Sequence, residues 1–321
     1  MTTKILDGGF SGQLSRHVGA KIDGDPLWTA RFLATNPDAV YATHLDFLRA
    51  GADVIETDTY QASVSGLMKH LNVSERESLD LFTKAVSLAK KAVRDYTRET
   101  DGLEQHADRR PIVAGSCGPY GACLHDASEY SGFYGKTISQ QELIDWHRPR
   151  VQALLDAGVD VLALETIPCV EEAEALLELL QEFPHARAWF SFSCRDGQLI
   201  SDGSNFQEVA VRCYRSLPSQ IIAVGVNCID PKYVTSLLKG INENISSPDF
   251  IPLIVYPNRG GSYSATGEWI AVPDDHSLNL PISKWLDMGV CYIGGCCKIF
   301  AEDIKTIRSI VDQYHAKTAA T

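Results

Sequence analysis
Short, almost uninterrupted apolar runs alternate with longer amphipathic stretches along this 321-residue chain. The runs fall at residues 4–7, 53–57, 111–116, 160–164, 186–191, 221–226, 251–256 and 290–293. Their β-branched content, bounded by Gly, Pro and Asp, predicts strands. The stretches between them predict helices at 36–50, 75–98, 139–157, 170–182, 205–216, 231–240, 283–288 and 301–315. Two helix starts are explicit: Pro37 stands in a first turn, and Ser139 with Glu142 is a capping box. Strands without polar alternation belong in a parallel sheet covered on both faces. Eight strand-then-helix units predict an α/β fold, a closed (β/α)8 TIM barrel forming a single domain over residues 1–321. A doubly wound open sheet competes, but no GxGxxG follows a strand. The longest irregular stretches, 118–136 and 258–280, follow the third and seventh strands. Barrel enzymes build their sites at those strand ends.

Composition changes the picture in three places. Hydrophobic residues at 45% and charged residues at 22% exclude a disordered or collagen-like chain. A net charge of −12 argues against a nucleic-acid partner and mildly favours a cationic ligand. No run of apolar residues reaches membrane-spanning length, and residues 1–10 lack the pattern of a signal peptide. Nine cysteines, an odd number, then read as reduced thiols in a cytoplasmic protein. Metal binding or catalysis explains them better than a disulfide framework.

The sharpest chemical feature is Gly294-Gly295-Cys296-Cys297, directly after the eighth strand. Adjacent cysteines make a strained disulfide with each other. Two glycines let the backbone bend so that both sulfurs point at one place. A third sulfur, Cys228 in GVNC, follows the sixth strand, and a barrel brings these strand ends together. Three thiolates can hold zinc and leave one tetrahedral position open, the mark of a catalytic rather than structural site. The plain alternative is that these cysteines are small buried hydrophobes; the other six are read that way, as core or surface residues.

Other strand ends carry polar groups. Asp7 precedes Gly8-Gly9, whose backbone N–H groups could receive a carboxylate. Glu165, in LALETIP, suits an ammonium group or a rim salt bridge. Thr57, Asp58, Thr59, Tyr60 and Gln61 follow the second strand; Tyr256 and Asn258 follow the seventh. These residues shape a pocket or simply form turns, and Asn227 beside Cys228 belongs with them. Histidines such as His44, His106 and His276 form no ligand pair and read as structural or surface residues.

At these residues the chain resembles the zinc-dependent homocysteine S-methyltransferases. The motifs are LDGGF at 6–10, TYQAS at 59–63, GSCGPYGACLHDASEYSGFYG at 115–135, LALETIP at 162–168, GVNC at 225–228, VYPN at 255–258 and GGCC at 294–297. The resemblance implies a barrel, Zn2+ held by Cys228, Cys296 and Cys297, and Glu165 on the homocysteine amino group. It places Asp7 and Gly8 at the amino acid's polar end. The 115–135 run favours the branch that uses S-methylmethionine or S-adenosylmethionine. The chain departs from the pattern at Asp58, Arg259 and Lys298-Ile299-Phe300.

The expected reaction is methyl transfer from a sulfonium donor to the zinc-bound thiolate of homocysteine, giving methionine. Only the thiolate attacks well, and coordination deprotonates it. Tyr60, Tyr120, Tyr130, Phe133 and Tyr134 are candidates for holding the cation, or for loop packing. Alternatives are a betaine-type donor, selenocysteine as acceptor, or a non-enzymatic zinc or redox-sensing barrel. The expected partners are small molecules, with neither nucleic acid nor membrane, on a monomer or weak dimer.

Overall fold
The computed structural model describes residues 2–19, 22–101, 110–245, 249–263, 269–271 and 280–319. His106, His276 and much of the 258–280 stretch lie outside the described residues.

In chain order, β1 (Lys4–Ile5) leads into α1 (Phe10–Val18), α2 (Arg31–Thr35) and α3 (Pro37–Arg49). β2 (Val54–Glu56) leads into α4 (Val64–Leu71) and α5 (Glu75–Thr100). Single strand–helix steps follow: β3 (Ile112–Cys117) with α6 (Gln140–Asp156), β4 (Val161–Ile167) with α7 (Val170–Gln181), β5 (Ala188–Phe192) with α8 (Phe206–Ser216), and β6 (Ile221–Asn227) with α9 (Pro231–Leu238). After β7 (Leu253–Tyr256), β8 (Gly261–Tyr263) and β9 (Trp269–Ala271) pair as a small antiparallel ribbon. α10 (Ile282–Asp287), β10 (Val290–Ile293) and α11 (Ala301–Ala319) complete the chain.

Eight strands form one parallel sheet in the order β1-β10-β7-β6-β5-β4-β3-β2. A parallel bridge between Leu6 and Val54 joins the two ends, so the sheet closes into the expected (β/α)8 barrel. The ribbon lies in a stretch read as irregular, because two three-residue strands are too short to show a period.

The core has two layers. Inside the barrel, Leu6, Val54, Ala163, Trp189 and Ile254 pack together. Small Ala114, Ala163 and Ala223 leave room for Trp189, whose Nε1–H donates to the Tyr256 hydroxyl at 3.0 Å. Outside, residues such as Phe47, Phe82, Leu154, Leu176 and Trp285 fill the space between sheet and helices. Strand side chains alternate between these layers, so the C-terminal inward positions aim Glu56, Ser116, Glu165 and Ser191 at the mouth.

Helix starts follow the sequence signals. Asn36 caps α3 ahead of Pro37, and Ser139 and Glu142 make the full capping box of α6. The glycines before Cys296 have a different reason than bending. Neither has a positive φ. A Cβ on Gly294 would sit 2.5 Å from Leu6 Cβ, and one on Gly295 would sit 2.1 Å from Ile299 Cγ2. Close approach to β1 and to the following turn is what requires them.

Candidate active site
The barrel mouth holds a cavity of about 450 Å³. Cys228, at the end of β6, and Cys296 and Cys297, after β10, reach it from strand ends separated in the ring only by β7. Their sulfur atoms all lie within 4.8 Å of one another. Cys228 Sγ is 3.5 Å from Cys297 Sγ, and Cys296 Sγ is 4.0 Å from Cys297 Sγ. Thiolates at ~2.3 Å from a tetrahedral zinc stand roughly 3.8 Å apart, so these spacings fit such an ion. Crowding opposes the metal-free anions: Cys228 and Cys297, together with burial, push the Cys296 thiol well above its ordinary range. A bound cation reverses that balance.

The backbone pins the sulfurs. Cys296 N–H donates to Pro257 O at 2.8 Å, Gly295 N–H to Asp7 O at 3.0 Å, and Cys228 N–H to Tyr256 O at 3.1 Å. Cys228 itself is left-handed, with φ 49°. Thr166, next to Glu165, is also left-handed at φ 59°. Asn227 clamps it: Oδ1 accepts from Thr166 N–H at 2.8 Å and Nδ2 donates to Thr166 Oγ1 at 2.8 Å. Strained residues held by buried bonds are common at functional sites. Here the clamp ties the β4 carboxylate to the β6 thiol.

Glu165, 5% exposed, accepts a hydrogen bond from Ser116 Oγ. Burial raises its pKa to about 7. Asp7, 4% exposed, accepts from Glu56 N–H at 2.8 Å. Burial also lifts Asp7 and Glu56 well above the usual carboxylate range, and repulsion from Glu165 adds to both. Glu56 Oε1 has no partner. Among the described residues, no lysine or arginine lines the cavity. Glu56 holds its proton against Glu165, and the buried Arg150 guanidinium eases the Glu165 charge from behind the wall, so the cavity side of the cluster suits a cationic ligand.

The sequence-predicted residues divide as follows. Asp7, Gly8, Tyr60, Gln61, Glu165 and Tyr256 line the cavity with the three thiols; Asn227 and Asn258 do not. Asn258 Oδ1 instead accepts from Gly260 N–H at 2.8 Å and shapes the turn. Gly9 N–H donates to Ile299 O at 2.7 Å and is not offered to a ligand. Of the candidate aromatics, Tyr60 and Tyr130 line the cavity. Tyr130 Oη lies 3.3 Å from Cys228 Sγ. Tyr120 and Tyr134, in the same loop, pack on each other, and Phe133 is 70% exposed. Trp28, whose ring meets that of Tyr60 at 5.9 Å, and Glu56 line the cavity and were missed from the sequence.

The departures also find places. Arg259 pairs with Asp303, and its Nε–H donates to Lys298 O at 2.8 Å, so it braces the cysteine loop against α11. Ile299 is buried beside Gly8 and Gly295. Phe300 lies under Arg16, 4.3 Å from guanidinium carbon to ring centre. Asp58 lines the cavity.

The loop that carries Glu129 and Tyr130 is anchored by Glu172 on α7. This buried carboxylate meets His147 Nε2 at 2.8 Å, Tyr120 N–H at 2.7 Å and the Tyr134 hydroxyl. Glu172→Ala strands those groups in the interior. A loss of about 3–5 kcal/mol in urea unfolding is expected; a loss under ~1 kcal/mol, as for a surface residue, would reject the anchoring role.

The chain belongs to the homocysteine S-methyltransferase family, whose model matches residues 4–311. A Drosophila melanogaster protein named betaine-homocysteine S-methyltransferase is 45% identical over 97% of this chain and 94% of its own length. A Brassica oleracea selenocysteine Se-methyltransferase is 39% identical, covering 94% of this chain and 87% of its own. The crystal structure of the metallated homocysteine methyltransferase MmuM from Escherichia coli superposes with a TM-score of 0.82 at 38% identity, covering 97% of this chain and 96% of that one.

Proposed function
We propose that the protein transfers a methyl group from a sulfonium compound to the sulfur of homocysteine, giving methionine, with zinc held by Cys228, Cys296 and Cys297. One observation carries this reading: three thiols and a cluster of buried carboxylates face the same cavity. Homocysteine pairs a thiol with an ammonium group, and the two clusters offer one partner to each.

A zinc ion held by three thiolates keeps a substrate thiol deprotonated at neutral pH. Glu165, oriented by Ser116, receives the substrate ammonium beside Asp7 and Glu56. With no side-chain cation on the wall among the described residues, backbone N–H groups near Gly8 take the substrate carboxylate. Tyr256 and Gln61 bound the cavity, while Asn227 and Asn258 act through the backbone they fix. Trp28 and Tyr60 offer ring faces worth ~0.5–2 kcal/mol to a cationic donor. As the new S–C bond forms, the donor's S–C bond breaks. Its electron pair stays on the donor sulfur, which leaves as a neutral thioether. The thiol proton passes to solvent, so no side chain need act as acid or base at the methyl. Positive charge vanishes from the donor during transfer, and a water-poor cavity favours that.

A second reading has a specific observation behind it. The Drosophila relative's name specifies betaine, whose quaternary ammonium is also a cation. Homocysteine is therefore supplied with S-methylmethionine, S-adenosylmethionine or betaine in parallel. Methionine from a sulfonium donor is expected. Methionine from betaine alone would overturn the donor, and none from any donor would overturn the reaction.

Methionine carries the ammonium without the acidic thiol, so its binding isolates the carboxylate cluster. Glu165 is neutral below about 7 in the ligand-free site. Only the anion attracts an ammonium, so affinity should fall as pH drops from 8 to 6, approaching ~10-fold per unit at the acid end. Calorimetric titration reads this; a Kd flat across that range would reject it.

A further inference from the structure
Among the described residues, two carboxylates at the mouth with an unpartnered buried oxygen stand outside the Asp7–Glu56–Glu165 cluster: Glu129, which feels the charge of Cys297, and Asp58. Asp58, two residues past the end of β2, is 3% exposed and lines the cavity, and its Oδ2 has no hydrogen-bond partner. Its other contact is the Thr29 side chain. Asp7, Glu56 and Glu165 are coupled to one another, by repulsion and by the hydrogen bond between Glu56 and Glu165, whereas burial alone raises Asp58, to about 8. The carboxylates facing homocysteine therefore do not account for it. Its position in the ring is also distinct. β2 and β6 lie four strands apart in a ring of eight, hence on opposite sides. At ~4.8 Å between strands such a ring is roughly 12–15 Å across. Cys228 is on one side of the mouth and Asp58 on the other, with the Trp28 and Tyr60 rings also on the cavity wall. In-line methyl transfer points the leaving group away from the thiols. The remainder of the donor is thus directed toward the Asp58 side.

We propose that Asp58 receives a primary ammonium group on the methyl donor and so sets this chain's preference for an amino-bearing sulfonium over a donor without N–H. A quaternary ammonium has no N–H to give and leaves the buried oxygen unpaired, at a cost to binding. The inference rests on the methyltransferase reading above and deepens it by assigning a residue to the donor's ammonium group.

The test compares two donors that differ only in this group: S-methylmethionine and 4-(dimethylsulfonio)butanoate, the same sulfonium and carboxylate without the amine. The wild-type protein should prefer the first in kcat/KM by at least ~30-fold, the scale for truncating one partner of a buried charge pair. In Asp58→Asn that ratio should collapse to within ~3-fold, because an amide offers the ammonium no charge. Homocysteine binding by calorimetry reports whether the variant's mouth is intact; if it is not, Asp58→Ser carries the same comparison. A wild-type protein without the preference, or a variant that keeps it, overturns the proposal. Absence of methionine from every donor is a different failure and removes the reaction beneath it.

Discussion
Cys297→Ser should cost the protein both its metal and its turnover. Removing a group that only supports a metal ligand typically lowers affinity or activity 10–100-fold, so removing a ligand should exceed ~100-fold in each. The serine hydroxyl fits the same space but stays protonated at neutral pH and is a poor partner for a soft cation. Cys228→Ser should behave alike, because its sulfur is 3.5 Å from that of Cys297 and the three act as one set. Metal content by atomic emission and methionine formation in the same preparation read the result. Full retention of both would sever the thiols from the chemistry.

The second large effect belongs to Glu165. Glu165→Gln keeps the size of the side chain and a hydrogen-bonding oxygen for Ser116, but removes the charge that faces the substrate ammonium. An uncompensated buried ammonium costs about 2–5 kcal/mol, so KM for homocysteine should rise about 30-fold or more. Metal content should be little changed, since Glu165 is not one of the three clustered thiols. An unchanged KM would reject the assignment. A parallel loss of metal would mean that the β4–β6 clamp through Asn227 transmits more than position.

Much of this was legible along the chain, for a physical reason. Parallel strands buried on both faces must be continuously apolar, so the eight runs announced the barrel before any contact was known. The thiols were legible because adjacent cysteines after two glycines are unusual for a core, although close packing against Leu6 and Ile299 explains those glycines. Glu56 was within reach: it sits two residues after Val54 on β2 and shares its inward face. Trp28 was not, because the segment that carries it follows α1 and has no period to place it. Asn227 was grouped with the pocket or turn residues because it adjoins Cys228, and its side chain serves Thr166 across the sheet. That partner is 61 residues away, a distance local pattern cannot span. Arg259 broke the family pattern in sequence, and its pairing with Asp303 on α11 shows the substitution bracing the cysteine loop.

The account's centre is that the substrate's sulfur joins the three cysteine sulfurs. X-ray absorption at the zinc edge counts sulfur neighbours directly. With protein loaded with zinc, the expected result is three sulfurs without ligand and a fourth, at ~2.3 Å, when homocysteine is added. A count that stays the same at saturating homocysteine, while methionine is still formed, would contradict it.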